Sequence, residues 1–304
     1  MATSLFKQVA AYQGHKGGVY GLAVNTLQQK IYTAGSDSFI VEWDLDGTDG
    51  KLIARANGIV YRLSYINAGH LLLAGNSLGG VHVIDTKNNA EIRLLKPFEK
   101  EIFCIAWFQE TETCAVASAD GQVIFYNRQF EPLAHIRISN AKIRSMVYHA
   151  GTQLYYAGTA EGKIIAINAS RYKVVQEVQA HRPGWSVNCM CVSADNSMLI
   201  SGGRDAMLNS FDLTTGLTPV LKIPAHNYAI YSVEPSPNKK YLLTASRDKT
   251  VKVWDADTMH VIQRLEPVGD KAHSYSINCA AWIDGRHLVC AGDAREIYIF
   301  DCAE

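Results

Sequence analysis

The chain has 304 residues, of which 48% are hydrophobic and 19% are charged, and its formal net charge is zero. This apolar share is enough for a sizeable core, whereas a balanced charge does not favour nucleic acid or an anionic membrane as a partner. The sequence contains no apolar run of about 18 residues, the length at which a membrane-spanning helix is considered.

The N-terminus and the cysteines favour a cytoplasmic protein. Residues 1–15 lack the apolar centre and cleavage pattern of a secretory signal, so we expect no signal peptide. The chain has seven cysteines, and an odd number without a secretory signal predicts reduced thiols in the cytosol.

The predicted elements are short apolar runs separated by polar turns. An isolated run from Leu5 to Tyr12 comes first, followed by four runs with the sequences "VYGLAV", "IYTAGS", "IVEWD" and "KLIARA". Runs rich in Val, Ile and Tyr and bounded by Gly, Asn, Asp and Ser predict β-strands. Because no segment keeps a 3.6-residue period, we predict no helix.

This group of four runs recurs to the end of the chain. The third run of each unit ends in a residue pair whose second member lies at position 44, 85, 127, 168, 212, 255 or 301, at intervals of 41 to 46 residues. Seven units of four strands predict an all-β, seven-bladed β-propeller that forms one domain over residues 1–304. The seventh unit ends after its third run, "EIYIF", so we predict that Leu5 to Tyr12 supplies its fourth strand and closes the ring.

The pair Gly14-His15, the Asp of the tight turn and the Trp-Asp ending resemble the WD-repeat (tryptophan–aspartate) β-propeller family, and the resemblance covers all seven units. It implies two complete structural tetrads in which a His lies between the Asp and a hydroxyl and the Trp N–H completes the chain. Such a set looks like a catalytic triad, but we interpret it as a buried polar network. The two tetrads are His15, Thr33, Asp37 and Trp43, and His226, Thr244, Asp248 and Trp254.

The other units depart from this pattern, so we expect strand pairing and apolar packing to be their main support. Blade five lacks only the indole, and blade seven has Ala294 in the Asp slot. The residues that remain in these two blades are His181, Ser201, Asp205 and Phe211, and His273 and Phe300.

No candidate for catalysis or metal binding is convincing. Cys189 and Cys191 would share one face of a strand. Aligning the first strands, however, puts Cys104, Cys189 and Cys279 in one slot that holds Gly21, Ser145 and Ser232 in three other units, so we interpret these cysteines as packing residues. The glycine-rich stretches lack the Lys-Ser/Thr of a phosphate loop, and the first strands offer one carboxylate, Glu234. We therefore expect no catalytic residue, no metal and no cofactor.

In the WD-repeat family the loops entering the first strands and the tight turns share one rim of the ring, called here the top face. The resemblance places an aromatic arc and a basic arc there, and Tyr and Arg are enriched at binding hot spots. The predicted partner-binding residues are Tyr20, Tyr61, Phe103 and Tyr231, Lys142, Arg144, Arg204 and Arg247, and Trp185 on an inserted loop.

We therefore predict a non-catalytic scaffold for protein–protein interaction that is monomeric alone and binds a protein or peptide, acidic or phosphorylated, with a nearby apolar anchor. A simpler interpretation is that the loop rims of any propeller carry some aromatic residues. Two other functions remain open, namely an enzyme or small-ligand propeller that uses its central channel, and a self-associating structural subunit.

Overall fold

The computed structural model describes residues 5–47, 49–268 and 275–302, and this part of the chain contains 28 strands and no helix, hence none that could cross a membrane. Seven four-stranded antiparallel sheets form, which confirms the predicted seven-bladed β-propeller. Blades one to three comprise β2 (Val19–Asn25), β3 (Lys30–Gly35), β4 (Phe39–Asp44) and β5 (Lys51–Arg55); β6 (Val60–Ile66), β7 (Leu71–Asn76), β8 (Val81–Asp85) and β9 (Ala90–Leu95); and β10 (Ile102–Phe108), β11 (Thr113–Ser118), β12 (Gln122–Tyr126) and β13 (Pro132–Arg137).

The remaining four blades repeat this order. Blades four to seven comprise β14 (Ile143–His149), β15 (Leu154–Thr159), β16 (Lys163–Asn168) and β17 (Lys173–Gln179); β18 (Val187–Val192), β19 (Met198–Gly203), β20 (Met207–Asp212) and β21 (Thr218–Pro224); β22 (Ile230–Pro235), β23 (Tyr241–Ser246), β24 (Val251–Asp255) and β25 (Val261–Leu265); and β26 (Ile277–Trp282), β27 (His287–Gly292) and β28 (Glu296–Cys302) with β1 (Phe6–Gln13).

The two ends of the chain meet in blade seven, where the strand order is β1-β28-β27-β26. Strand β1 pairs antiparallel with β28 from Phe6 opposite Cys302 to Gln13 opposite Glu296. The predicted closing strand is confirmed, with bounds one residue later than expected. Because β26 also contacts β2, the seven first strands form a complete ring around a central channel.

The core lies between the blades. In the described residues the buried apolar side chains form seven clusters, one for each interface between neighbouring blades. On β7, Leu72 packs towards blade one and Leu73 towards blade three. The middle strands are therefore buried on both faces, which explains why their sequences read as continuous apolar runs.

Each first strand has a β-bulge at its second residue. The pairing of β2 with β3 steps from Val19 directly to Gly21, and the same shift occurs in the other six blades. A bulge leaves one residue outside the ladder and redirects its side chain. We call these residues the mouth ring; they are Tyr20, Tyr61, Phe103, Arg144, Asn188, Tyr231 and Asn278.

The top face is held by one hydrogen bond that recurs in every blade. The loop before the first strand accepts this bond from the turn between the second and third strands, as in Ser36 N–H to Gly18 O at 2.9 Å and Arg247 N–H to Ala229 O at 2.9 Å. The turns between third and fourth strands lie at the opposite end, the bottom face.

The closing strand provides the first test. Phe6 is 1% exposed, lies edge-on to Trp282 at 5.8 Å between ring centroids, and its backbone exchanges two 2.8 Å hydrogen bonds with Gln263 of blade six. Phe6→Ala should lower the free energy of unfolding by about 3–5 kcal/mol. Val9 on the same strand is 58% exposed, so Val9→Ala should change it by less than about 0.5 kcal/mol. Denaturant unfolding of both variants measures these free energies. Equally small changes in the two variants would contradict ring closure by β1.

Candidate functional site at the channel mouth

The first predicted tetrad is joined by hydrogen bonds. His15 Nδ1 lies 2.9 Å from Asp37 Oδ2, His15 Nε2 lies 2.7 Å from Thr33 Oγ1, and Trp43 Nε1 donates to the same hydroxyl at 2.7 Å. Asp37 also accepts a hydrogen bond from the Lys16 N–H at 2.8 Å. Both ring nitrogens of the histidine are occupied, so this network ties the loop before β2 to the turn after β3.

The second tetrad has the same geometry. His226 lies 2.9 Å from Asp248 and 2.8 Å from Thr244, whose hydroxyl accepts from Trp254 Nε1 at 2.8 Å. Burial lowers the pKa of His226. Burial raises the pKa of Asp248, but hydrogen bonds from His226, Thr250 and the Asn227 N–H outweigh it and hold this pKa below its usual range. The pair is thus a neutral imidazole against a carboxylate at neutral pH.

Blade five retains a partial set. His181 lies 2.8 Å from Asp205 and 2.9 Å from Ser201, while Phe211 takes the place of the indole. His273, the residue expected for blade seven, lies outside the described residues.

Two blades without the tetrad have other polar networks in addition to the expected strand pairing and apolar packing. In blade two, Asn76 accepts from the N–H groups of Leu78 and Gly80 at 2.9 and 3.0 Å, and His82 lies 2.8 Å from Glu91. In blade three, Asp120 accepts from the side chains of Ser118, Gln122 and Arg137. These partners come from the second, third and fourth strands, where the tetrad spacing gives no signal.

The mouth ring surrounds a cavity of about 250 Å³ at the top of the channel. All seven of its side chains line this cavity, and Arg62 is the eighth lining residue. Five residues predicted for the partner-binding surface therefore lie together around one opening: Tyr20, Tyr61, Phe103, Arg144 and Tyr231.

The aromatic and basic halves of the mouth meet at Phe103. Tyr20 and Tyr61 lie 5.9 Å apart between ring centroids, and Tyr61 stacks on Phe103 at 4.7 Å. On the other side of Phe103, Lys142 Nζ and Arg144 Cζ lie 4.8 and 5.2 Å from the ring centroid. The aromatic arc is continuous over blades one to three, and Tyr231 of blade six is separated from it by Asn278.

The inserted loop before β18 adds a second aromatic–basic contact. Trp185 is 37% exposed, and the guanidinium groups of Arg182 and Arg204 lie 5.4 and 5.7 Å from its ring. Arg247 is exposed on the turn of blade six. Arg182 was not among the predicted residues, although its position in "HRPGW" beside Trp185 is a visible signal.

Two asparagines of the mouth ring serve the fold. Asn188 Nδ2 donates to Ile230 O at 2.9 Å, and Asn278 Nδ2 donates to Val19 O at 3.1 Å and to Asp293 Oδ1 at 2.7 Å. Each amide thus connects its own blade to the next one around the ring.

The channel below the mouth contains thiols and one carboxylate. Burial raises the pKa of Cys189 and of Cys279 to about 12, so both thiols stay protonated and unreactive. Burial raises the pKa of Glu234 to about 7, although the Trp282 backbone and the Arg62 charge oppose the shift. Within the described ranges, no three His, Cys, Asp or Glu side chains are grouped to hold a metal ion.

The comparison with known proteins fits this geometry. A family model described as "WD domain, G-beta repeat" matches residues 6–44, 172–212 and 217–255. These segments end in blades one, five and six, the blades with a His–Asp–hydroxyl set. The chain is a seven-bladed β-propeller that contains WD repeats. Each matched segment begins with the outer strand of one blade and continues through three strands of the next.

The relatives of this WD-repeat propeller are distant. It is 22% identical over 250 residues to the serine-threonine kinase receptor-associated protein of Gallus gallus, covering 81% of this chain and 69% of that one. It is 23% identical over 241 residues to the target of rapamycin complex subunit wat1 of Schizosaccharomyces pombe, covering 75% of each. The WD repeat-containing protein 1 of Bos taurus is 23% identical, and the match spans 39% of its length.

A solved structure shows the same fold. The WD40 β-propeller domain of Doa1 superposes with a TM-score of 0.86 over 98% of both chains, at 16% sequence identity. At that identity the likeness establishes the fold of this propeller alone.

The tetrad gives the second test. His226→Ala leaves Asp248 and Thr244 without their buried partner, so the free energy of unfolding should fall by about 1–3 kcal/mol. His260 is exposed, and His260→Ala should change it by less than about 0.5 kcal/mol. Chemical unfolding measures the free energy of unfolding of both variants. Equal losses in the two variants would contradict the structural role of the tetrad.

Glu234 gives the third test. Its pKa is raised from 4.5 to about 7, so the folded chain holds this proton more tightly than the unfolded chain does. The resulting stabilisation is complete below pH 4.5 and is lost as the pH rises through 7.

Glu234→Gln mimics the protonated form at every pH. Relative to the wild type, its stability should therefore rise by about 1–3 kcal/mol between pH 5 and pH 8. Denaturant unfolding at the two pH values measures this difference, with Glu110→Gln at an exposed site as the control. A difference that does not change with pH would contradict the raised pKa.

Proposed function

We propose that this propeller is a non-catalytic scaffold that binds a segment of a partner protein across its top face, and that residues 1–304 form one domain for this role. The observation that carries the proposal is the continuous contact from Tyr20 through Tyr61 and Phe103 to Arg144. These side chains are half-buried around an open mouth. Tyrosine and arginine in such a position offer a rigid apolar surface beside charge, the composition of binding hot spots.

The two halves of the mouth indicate the chemistry of the partner. The stacked rings suit an apolar anchor, and the basic side chains suit carboxylate or phosphate groups. We therefore propose an acidic or phosphorylated segment that lies across the mouth. The basic side chains continue outward from Arg144 to Arg204 beside Trp185 and to Arg247.

The relatives support the scaffold role. One is named as a receptor-associated protein and another as a subunit of a complex. The histidines of the tetrads support a non-catalytic role, because their ring nitrogens are used within the fold. A cytoplasmic location and a monomeric state in isolation complete the proposal.

Charge reversal on the top face tests the proposal. The triple variant Arg144→Glu, Arg204→Glu and Arg247→Glu should weaken partner binding by about 2 kcal/mol or more and flatten its salt dependence. The double variant Tyr20→Ala with Tyr61→Ala should also weaken binding, with its salt dependence retained. Titration calorimetry at two ionic strengths, against a partner recovered by affinity capture, measures both effects.

A control with the same change of charge lies on the bottom face. Arg171, Lys173 and Lys240 are exposed at the bottom end of the blades, so their reversal to Glu should leave binding unchanged. A partner that binds both top-face variants as tightly as the wild type, or that is lost with the bottom-face variant instead, would move the functional surface away from the mouth.

A further inference from the structure

Arg62 is an unusual residue at its position in the ring. It follows the bulge of blade two, and the same slot in the other six blades holds small residues, namely Gly21, Cys104, Ser145, Cys189, Ser232 and Cys279. Its long side chain lines both the mouth cavity of about 250 Å³ and a smaller cavity of about 110 Å³ in the channel below. Blade two therefore presents a long cationic side chain to the channel at a position that is small and uncharged in the other six blades.

The guanidinium of Arg62 is available for a ligand. Across residues 5–47, 49–268 and 275–302, no carboxylate forms an ion pair with it within 4.0 Å, and no protein group accepts a hydrogen bond from it. Glu234 shares the lower cavity and lies near enough for the charge of Arg62 to lower its pKa, but the two do not pair.

A second guanidinium faces the same mouth cavity. Arg144 is half-buried, and its Nε atom is buried without a hydrogen-bond partner among the residues that the structure describes. The hydroxyl of Ser145, which lines the lower cavity with Arg62, is unpartnered as well. Leaving a buried donor unsatisfied costs about 1–3 kcal/mol, and the fold does not use the full hydrogen-bonding capacity of the Arg144 guanidinium, which lines the mouth cavity together with Arg62.

None of the residues that line the mouth cavity is acidic. Its eight lining residues are two arginines, two asparagines and four aromatic residues, of which three are tyrosines with a hydroxyl. Asp293, a carboxylate of the top face, accepts a hydrogen bond from the Asn278 amide at 2.7 Å, and the charge of Glu101 acts on Tyr61. Two arginines and three tyrosines therefore line one small space.

This composition discriminates between anions. A carboxylate has one charge and two oxygens in a plane, so a single arginine satisfies it bidentately. A phosphoryl group carries a charge of about −1.5 to −2 at neutral pH and three acceptor oxygens that point in different directions. Two guanidinium groups on different blades match the charge and the three-dimensional shape of the second group.

We propose that the channel mouth binds a phosphoryl dianion between Arg62 and Arg144, with the aromatic wall of Tyr61 and Phe103 against the group that carries the phosphate. The ligand is a phosphomonoester, either a free small molecule or a phosphorylated side chain. The site is complete with residues of this chain, so it does not depend on the partner proposed above. Where the phosphate belongs to a side chain, the inference deepens that proposal by placing the phosphate at the centre of the mouth.

Titration calorimetry with defined probes tests the site. The probes are phenyl phosphate, inorganic phosphate and benzoate, the last being a carboxylate on the same ring. Phenyl phosphate should bind the wild type in a 1:1 complex, inorganic phosphate more weakly, and benzoate at least about tenfold more weakly than phenyl phosphate.

The variants assign the binding to the two arginines. Arg62→Gln and Arg144→Gln should each weaken the binding of phenyl phosphate by about tenfold or more. The affinity of Arg62→Lys should lie between those of the wild type and Arg62→Gln, because lysine keeps the charge and loses the bidentate geometry. Arg171→Gln on the bottom face is the matched control and should bind as the wild type does. Melting temperatures show whether each variant folds. If Arg62→Gln does not fold, the affinity of Arg62→Lys still tests the role of Arg62.

Three results would overturn the inference: no saturable binding of phenyl phosphate, equal binding of benzoate, or an equal loss in Arg171→Gln. A glycine-flanked phosphotyrosine peptide distinguishes the sources, since a gain over phenyl phosphate assigns the phosphate to a side chain and equal binding assigns it to a small ester. The two proposals share Arg144 and Tyr61, but Arg204, Arg247 and Tyr20 test the scaffold alone and Arg62 tests this site alone. A failure at Arg62 therefore leaves the scaffold proposal standing.

Discussion

The antiparallel pairing of β1 with β28 is the interaction on which the rest of the structure depends. It joins strands from the two ends of the chain, from Phe6 opposite Cys302 to Gln13 opposite Glu296, and the Gln13 side chain donates to Glu296 Oε1 at 2.9 Å. Without it, blade seven would expose an unpaired edge, and the first strands would not surround a channel. The channel mouth therefore exists only because a non-covalent contact closes the ring.

The matched repeat segments also connect neighbouring blades, because each of them spans parts of two blades. Residues 172–212 supply the outer strand of blade four and the first three strands of blade five. A sequence repeat offset by one strand from the structural blade couples each blade covalently to the next. The ring then has one non-covalent junction, in blade seven, and apolar clusters of the described residues fill the interfaces on both sides of it.

The tetrads and the mouth ring have different roles at the top face. The tetrads and the bonds from turn to loop fix the backbone, as His15 does between Asp37 and Thr33. The bulges then release one residue of each first strand from the ladder, so that its side chain can change at little cost to the core. Conformational stability and binding chemistry thus come from adjacent but separate residues, which explains how Arg144 and Tyr61 can occupy equivalent positions in different blades.

The sequence predicts most of the fold because the fold is periodic. The recurrence at 41 to 46 residues, the tetrad spacing and the missing last strand led to the architecture and to its closure. The bulges gave no signal, because an extra residue in a strand leaves the spacing of the next apolar residue unremarkable. Arg62 in "VYRLSY" is recognisable in the sequence as a polar residue of a first strand, but the cavities that its side chain lines are known only from the structure.

Other features depend on contacts between strands that are distant in sequence. The network of Asn76, His82 and Glu91 replaces the tetrad with groups from three strands of blade two. The position of Trp185 between Arg182 and Arg204 joins a loop to a turn. Local patterns identify such residues as polar or aromatic, but only the register of the sheet shows which of them meet.

Amide hydrogen exchange of the protein, alone and with a captured partner, tests the central claim that the mouth ring is the binding surface. The account predicts that the partner slows exchange in residues 59–62, 101–104 and 142–145 at the mouth and leaves the outer strands at 90–95 and 173–179 unchanged. Protection confined to those outer strands, with exchange at the mouth as fast as in the free protein, would contradict it.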